Sequence, residues 1–342
     1  MGLKIGGWRV TRYGAELEIA CDESGSDGEN LTGGNTDVFA HASVRLSAED
    51  AAACVREIRD RIRSPAQEYK ANHLLREKHR AVLEWLLADA GPILGRAHVH
   101  LTEKAFFVVD RAVGLLIDDP AEAVTLFRQG PGTFGEEAWQ EFLAASNRLL
   151  RLRPGGDPAA AGEPFFRTVD ALCRAHPDTD AARILRRLAE GRPHADAYRA
   201  RMLATPAVFP VLNPLFPAIR RTAARWSAGG GTVTLVHDQQ NSLTPGRIAR
   251  IVQAARRDGI GLGGLRLVDS RDDARVQIAD FLAGIARKIA SDELNGRGDA
   301  ALTALLRPYV GAGSVWGDAA SWARLGPAGE NPGRPAEINS GV

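Results

Sequence analysis

The sequence has few lysines, few cysteines and no long apolar run. Its basic residues are nearly all arginine, and the lysines are Lys4, Lys70, Lys78, Lys104 and Lys288. The 3 cysteines have no CxxC spacing, which argues against a zinc ribbon or a disulfide framework and predicts reduced thiols in a cytoplasmic protein. No apolar run reaches the roughly 18–20 residues that a membrane span needs, so we expect no membrane partner.

The chain also lacks an excess of either charge. Its 43 basic and 42 acidic residues give a net charge of +1, which indicates neither nucleic-acid nor membrane binding. Arginine in place of lysine, with abundant alanine and glycine, is typical of a GC-rich bacterial genome. A lysine therefore stands out, because most basic positions of this sequence carry arginine. The sequence carries no signal for an oligomeric state.

Two strand-like segments end in an aspartate. The apolar positions Leu17, Ile19 and Cys21 lead to Asp22, and "TVTLVHD" (232–238) ends at Asp238. Strand interiors disfavour aspartate, because its short side chain competes for backbone hydrogen bonds. A carboxylate at a buried strand end needs a partner, and a metal ion is a common one.

Two further acids stand out by context. Glu68 lies in "SPAQEYK", before or at the start of a helix, and Asp280 lies within the apolar helix "RVQIADFLAGIARKIA" (275–290). An acid on an apolar helix face is costly unless it is paired or coordinated. Gln277 and Gly284 share that face by i, i+3 and i+7 spacing. Gln277 could hold a carboxylate in place, and Gly284 would allow another element to approach closely.

The pattern predicts one shared carboxylate site. Its catalytic and metal-binding members are Asp22, Glu68, Asp238 and Asp280, with Lys70, Gln277 and Asp269 in supporting roles. Oxygen ligands of this kind suit Mg²⁺ or Mn²⁺ rather than zinc, and several carboxylates together can hold two such ions. In a strand Glu23 points away from Asp22, so it is not counted as a ligand.

Each member also has a simpler interpretation. Asp22 could belong to a turn and Asp238 could cap a strand end. Asp280 could pair with Arg275 or Arg287, Asp269 could form only a turn, and Lys70 could be a surface lysine. His98 and His100 place two imidazoles on one strand face, but no third ligand accompanies them, so we expect a structural role.

Four short blocks resemble one known family. The segments "ACDESG", "EYK", "VHDQQN" and "DSRDDARVQIADFLAG" are similar to the family catalogued as domain of unknown function 3800, which is grouped with ribonuclease-H-like folds. The resemblance covers roughly residues 14–115 and 208–290. It implies acids on the first strand, near the first helix, on the fourth strand and on the last helix. In that order they correspond to Asp22, Glu68, Asp238 and Asp280.

The resemblance implies an α/β fold: a ribonuclease-H-like mixed sheet flanked by helices. Residues 118–205 have no counterpart in a minimal fold of this kind, and their apolar spacing is helical. We therefore expect a large inserted helical subdomain there. The core is expected at residues 1–117 and 206–325, and residues 326–342 are expected to form a disordered tail.

The function expected from these residues is metal-dependent phosphodiester hydrolysis, with a nuclease as the leading interpretation. Arginine-rich helices could line a phosphate-tracking groove, although no interleaved aromatic residues support base stacking. A second interpretation keeps the metal site and changes the substrate to a small nucleotide or another phosphorylated metabolite. A third is a catalytically silent recognition module on the same fold.

Overall fold

The structure, a computed structural model, describes residues 17–63, 70–151, 158–204 and 210–329. The chain has an α/β fold with a five-stranded mixed sheet flanked by helices. Glu68 and the tail expected to be disordered beyond residue 329 lie outside the described residues.

Five strands form the sheet: β1 (Leu17–Ser24), β2 (Val38–Val44), β3 (Ala97–Glu103), β4 (Val233–Asp238) and β5 (Leu262–Val268). Their order across the sheet is β3-β2-β1-β4-β5. The β1–β2 and β2–β3 pairs are antiparallel, whereas β4 is parallel to both β1 and β5. Cys21 is paired with His237, so Asp22 and Asp238 follow side by side at the carboxyl ends of two central strands.

Fourteen helices are assigned within the described ranges. They are α1 (Ala48–Ile62), α2 (Ala71–Leu74), α3 (Arg80–Leu87), α4 (Lys104–Leu116), α5 (Pro120–Phe134), α6 (Glu136–Leu150), α7 (Pro158–Ala175), α8 (Asp180–Glu190), α9 (Arg192–Ala204), α10 (Leu215–Ser227), α11 (Pro245–Arg257), α12 (Ala274–Leu294), α13 (Ala300–Leu306) and α14 (Ala319–Leu325). Short 3₁₀ turns occupy Glu77–His79 and Arg307–Tyr309. None of the described helices has the length and apolarity that crossing a membrane requires.

Local sequence explains where the two long helices beside β1 and β2 begin. The Ser47 hydroxyl accepts a hydrogen bond from the Asp50 amide and caps α1. The Asp273 carboxylate likewise accepts from the Arg275 amide and caps α12. A capped start fixes the register of each helix, and so fixes which of its side chains face the sheet.

The two faces of the sheet are covered by different helices. On one face Ala20 packs in an apolar cluster with the buried side of α12. On the other face Ile19 and Cys21 pack with residues of α10 and α11. Because successive strand residues alternate between faces, Asp22 lies on the α12 face and Glu23 on the α10 face.

A second apolar cluster joins α4 to the helices between residues 120 and 204. Trp139 stacks on Phe142 with 5.1 Å between ring centroids. Gly130 lies against the indole, since a Cβ atom at this position would be 2.3 Å from a Trp139 ring carbon. The described residues of this segment are helical and contribute no strand to the sheet. The expected division of the chain into a core and an insertion stays a prediction.

The segment after α13 covers the outer edge of β3. Val310 forms a bridge with Val99, and Val315 forms one with Thr102. Farther along, Glu103 Oε2 accepts hydrogen bonds from the Gly317 and Asp318 amides at 2.8 and 2.9 Å. Burial is the main cause that raises the pKa of the Glu103 carboxyl to about 7. This buried carboxyl therefore ties the C-terminal segment to the sheet.

The raised pKa of Glu103 predicts a pH-dependent stability. The folded chain holds this proton more tightly than the unfolded chain, whose pKa is 4.5, so stability falls as the pH rises from about 4.5 to 7. The amide that replaces the carboxyl in Glu103→Gln does not titrate in this pH range. We expect the variant to match the wild type at pH 4.5 and to exceed it at pH 8, by up to about 3 kcal/mol. Urea unfolding at the two pH values measures the free energy of unfolding of the variant and of the wild type. A difference between them that is the same at both pH values would contradict the raised pKa of Glu103.

Candidate functional site

Two of the predicted acids, Asp238 and Asp280, act electrostatically on a third, Asp22, near the carboxyl ends of β1 and β4. Asp22 is 6% exposed, and Asp238 lies beside it on the neighbouring strand. Asp280 is contributed by α12, which packs on this face of the sheet. Burial is the main cause that raises the pKa of the Asp22 carboxyl well above its usual value, followed by the negative charges of Glu23, Asp280 and Asp238. The carboxylates of Asp238 and Asp280 are thus close enough to act electrostatically on Asp22.

The loop after β1 explains why the strand stops where it does. Gly25 has a φ of +84°, a conformation that strongly favours glycine. The Glu23 amide donates a hydrogen bond to Asp22 Oδ1 at 2.7 Å, which fixes the carboxylate against its own backbone. Arg287 Nε donates to the Ser24 hydroxyl at 3.1 Å and ties the strand end to α12.

The other two acids are held by separate contacts. Asp238 Oδ1 accepts a hydrogen bond from the Ser270 amide at 2.9 Å, which links the ends of β4 and β5. Asp280 Oδ2 lies 3.7 Å from the Lys70 ammonium. Asp280 is 18% exposed in its side chain, whereas Lys70 is 48% exposed. The scarce lysine singled out in the sequence therefore lies at the solvent side of the acidic cluster.

Gly284 determines how closely α2 approaches α12. A Cβ atom at position 284 would lie 2.2 Å from the Cβ of Ala71, the first residue of α2. The expectation that Gly284 permits a close approach is confirmed. Because Lys70 is the N-cap residue of α2, this contact also places the lysine beside Asp280.

The supporting residues differ in their surroundings. Asp269 Oδ2 is 2.5 Å from Arg271 Nη2, and hydrogen bonds from Arg271 are the main cause that lowers the pKa of Asp269. The charge of Lys70 also lowers that pKa, so Asp269 lies within electrostatic range of the lysine. Gln277 is buried on α12, almost one turn before Asp280. Glu68 lies outside the described residues, so its place in the site stays a prediction.

The two arginines considered as alternative partners of Asp280 bind elsewhere. Arg275 forms ion pairs with Asp273 at 2.7 Å and with Glu18 at 2.9 Å. Arg287 donates to the hydroxyl of Ser24. Among the described residues, Lys70 forms an ion pair with Asp280.

A second polar group, which the sequence did not reveal, supports the site from the opposite face of the sheet. Glu23 Oε2 lies 3.4 Å from His237 Nε2, and Gln240 Nε2 donates to the other oxygen of Glu23. His237 Nδ1 is 2.9 Å from the Asp238 carbonyl oxygen, which can only accept, so this nitrogen carries a proton. The His237 ring stacks on His41 with centroids 5.3 Å apart. The Gln240–Glu23 hydrogen bond links the ends of β1 and β4 on the face opposite to Asp22 and Asp238, whereas Glu23 Oε2 and His237 Nε2 face each other without a hydrogen bond.

The donor set is suited to a hard cation. Asp22, Asp238 and Asp280 offer carboxylate oxygens, the type of ligand that Mg²⁺ and Mn²⁺ prefer. Among the described residues no group of three or more His, Cys, Asp or Glu side chains is arranged to hold a metal ion. On β3, His100 is buried and His98 is half-buried, and burial is the main cause that lowers the pKa of both rings, that of His98 to about 4.

The contact between α2 and α12 predicts opposite effects for two glycine substitutions. Gly284→Ala should lower the free energy of unfolding by about 1–3 kcal/mol, because the new methyl group overlaps Ala71. Gly114→Ala in α4 is the matched control, since a Cβ atom there meets nothing within 4 Å. It should be neutral or raise stability by up to about 1 kcal/mol. Urea unfolding compares the two variants, and equal effects would show that the close approach does not matter.

The raised pKa of Asp22 predicts that its charge destabilises the folded chain. The folded chain holds the Asp22 proton more tightly than the unfolded chain, so the penalty grows as the pH rises above the ordinary value of 3.8. Asp22→Asn should therefore be more stable than the wild type at pH 8, and the gain should shrink towards pH 3.5. Thermal unfolding of the wild type and of Asp22→Asn, each with and without Mn²⁺, provides a second measurement of stability.

Mn²⁺ should stabilise the wild type and should have little effect on Asp22→Asn. Asp60→Asn, at an exposed position of α1, is the control for loss of one negative charge. A gain in stability for Asp60→Asn equal to that for Asp22→Asn would attribute the effect to net charge rather than to the site.

Comparison of the chain with protein-family models, with curated proteins and with solved structures gives no match. The case for a function therefore rests on the residues of this chain.

Proposed function

We propose that this chain is a divalent-metal-dependent phosphodiester hydrolase with a ribonuclease-H-like core, and that nucleic acid is its substrate. The observation that carries the proposal is the buried Asp22 carboxylate, whose pKa is raised mainly by burial and further by the charges of Glu23, Asp280 and Asp238. Buried carboxylates that repel one another are costly, and a bound cation is a common reason for keeping them together.

The placement of the acids along the fold supports the ribonuclease-H-like part of the proposal. Asp22 lies on the first strand of a mixed sheet, Asp238 on the fourth, and Asp280 on the helix that follows the fifth. This is the order that the resemblance to the domain of unknown function 3800 family implies. The two acid-bearing strands are neighbours at the centre of the sheet, so their carboxyl ends open onto one location.

The residues proposed to hold the metal are Asp22, Asp238, Asp280 and Glu68. Bound Mg²⁺ or Mn²⁺ would supply a water of lowered pKa and positive charge for the leaving oxygen. The protein contributes rigid placement of the oxygens: the Ser270 amide orients Asp238, and α12 carries Asp280 into the cluster. Glu68 precedes Lys70 by two residues in the chain, and Lys70 contacts Asp280.

Basic side chains beside the acids support a phosphodiester substrate. Lys70 lies at the solvent side of Asp280, and Arg271, which is 69% exposed in its side chain, lies beside Asp269. Arg287 lies two turns after Asp280 on α12 and contacts the end of β1. Cations around a carboxylate cluster can neutralise the phosphate groups that flank the reacting one. In this proposal Lys70 contacts a phosphate oxygen of the substrate.

Substitution of the acids predicts a metal-dependent loss of cleavage. Asp280→Asn should reduce Mn²⁺-dependent cleavage to background, because an amide is nearly isosteric but cannot supply the charge that holds the ion. Lys70→Ala should reduce turnover less, by roughly ten- to a hundredfold. Asp292→Asn is the matched control, since Asp292 lies on the same helix and pairs with Lys288. The assay presents DNA, RNA, hybrids and a small phosphodiester, each with Mn²⁺ or with chelator.

The outcomes separate the three interpretations of the sequence. Equal cleavage by Asp280→Asn and the wild type would contradict the proposal. Cleavage of the small phosphodiester alone would favour a small nucleotide or phosphorylated metabolite as substrate. No cleavage of any substrate would favour a catalytically silent recognition module.

A further inference from the structure

Two helices on the face of the sheet opposite to α12 carry charge of one sign only. α10 contains three arginines and α11 contains four, and neither helix contains an aspartate or a glutamate. Both helices pack on the face that Ile19 and Cys21 occupy. The arginine-rich helix α1 differs, because it also contains acids and Arg61 pairs there with Glu57. A layer of purely basic helices is therefore unusual in a chain whose net charge is +1.

Three arginines of α11 project into solvent. Arg250, Arg256 and Arg257 are exposed, whereas Ile251 and Ala255 are buried on the inner side of the helix. The positions of α11 three and four residues away from each of these arginines hold glycine, alanine, valine, glutamine or arginine. Residues at this spacing are the ones that meet on a helix surface. No carboxylate within α11 can therefore pair with the three guanidinium groups, and their charge is open to a partner in solution.

Contacts of α10 extend this charged surface towards β2. Arg220 forms an ion pair with Asp258, the residue that follows α11, so α10 lies beside the end of α11 and engages an acid located there. The guanidinium carbon of Arg45 lies 5.5 Å from the centre of the Trp226 ring, next to the exposed Arg225 of α10. The exposed side chains that we call the arginine surface are Arg45, Arg225, Arg250, Arg256 and Arg257.

We propose that the arginine surface binds the phosphate backbone of nucleic acid, separately from the proposed hydrolytic site. Guanidinium groups form forked hydrogen bonds with phosphate oxygens, and closely spaced cations bind a polyanion with release of its counterions. An anionic membrane is a less suitable partner, because the exposed residues of α11 include no large apolar side chain that inserts into lipid. The inference rests on the proposed function in taking nucleic acid as the partner.

The connection between β4 and β5 places the end of the arginine surface far from the acids. β4 ends at Asp238 and is parallel to β5, so α11 runs back along the sheet to the start of β5. Arg256 and Arg257 end α11, and the 6 residues of β4 separate that end of the sheet from Asp238 by roughly 20 Å. A nucleic acid bound at both places therefore extends well beyond the cleaved phosphate, whereas a small phosphodiester reaches only one of them.

Binding of duplex DNA to the full chain with chelator present tests this surface without cleavage. Fluorescence anisotropy should show saturable binding that weakens steeply with salt. The double variant Arg256→Gln/Arg257→Gln should raise the Kd about tenfold or more at about 0.1 M salt, and should reduce the slope of log affinity against log salt by about 2. The matched control, Arg148→Gln/Arg174→Gln, removes two exposed charges from α6 and α7 and should leave affinity and slope unchanged. Melting temperatures check that both double variants are folded.

The outcomes separate the arginine surface from the hydrolytic site. The proposal is overturned if the wild type binds no duplex DNA at up to about 100 µM protein in low salt. It is also overturned if the two double variants lose equal affinity, or if the wild type binds phosphatidylserine vesicles and not DNA. Asp280→Asn should bind DNA as the wild type does, since α12 covers the other face of the sheet. DNA binding that depends on Arg256 and Arg257, without cleavage by the wild type, would reject the hydrolase and support the surface. Metal-dependent cleavage with unchanged binding by Arg256→Gln/Arg257→Gln would do the reverse.

Discussion

The site depends on the burial of negative charge at the ends of two central parallel strands. Asp22 is nearly inaccessible, yet it lies within the electrostatic range of three other carboxylates. Burial and like charge both favour the protonated form of Asp22, so the folded chain alone gives its ionised form little support. The Ser270 amide and the Lys70 ammonium hold two of the neighbouring acids from outside the cluster. This unfavourable charge arrangement is easiest to explain if the site works with a bound cation.

Several structural features are required to maintain that arrangement. Parallel pairing of β1 with β4 makes Asp22 and Asp238 neighbours, and the Gln240–Glu23 hydrogen bond links the same strand ends from the other face. The close approach of α2 to α12 at Gly284 brings Lys70 to Asp280. The proposed site therefore uses both faces of the sheet: ligands on the α12 side and support on the α10 side. A polar pair behind a buried acid limits how far the acid can move when its charge state changes.

Much of the site was predictable, because each of its acids lies in an apolar segment where a charged side chain is unusual. An aspartate at the end of an apolar strand and an aspartate on an apolar helix face are both visible in the sequence, and the expected strand at 232–238 agrees with β4 (Val233–Asp238). The start of β5 at Leu262 is harder to predict, because the strand includes Gly263 and Gly264, and glycine weakens a strand pattern.

Features that depend on distant pairing were not predictable. Glu23 meets His237 only because β1 and β4 are adjacent, and 214 residues separate the two in the chain. No local periodicity encodes this contact. The sequence predicted that another element approaches Gly284 closely, but it did not predict that Ala71 is the residue that does so.

The most direct test of the account is the position of a bound cation. A crystal of the protein soaked with Mn²⁺ should show an anomalous difference peak between the carboxylates of Asp22, Asp238 and Asp280, at the roughly 2.0–2.3 Å that oxygen ligands of such ions adopt. The same experiment on Asp22→Asn should show a weaker peak or none. A well-ordered site without a peak at saturating Mn²⁺, or a peak bound only by other residues, would contradict the central claim.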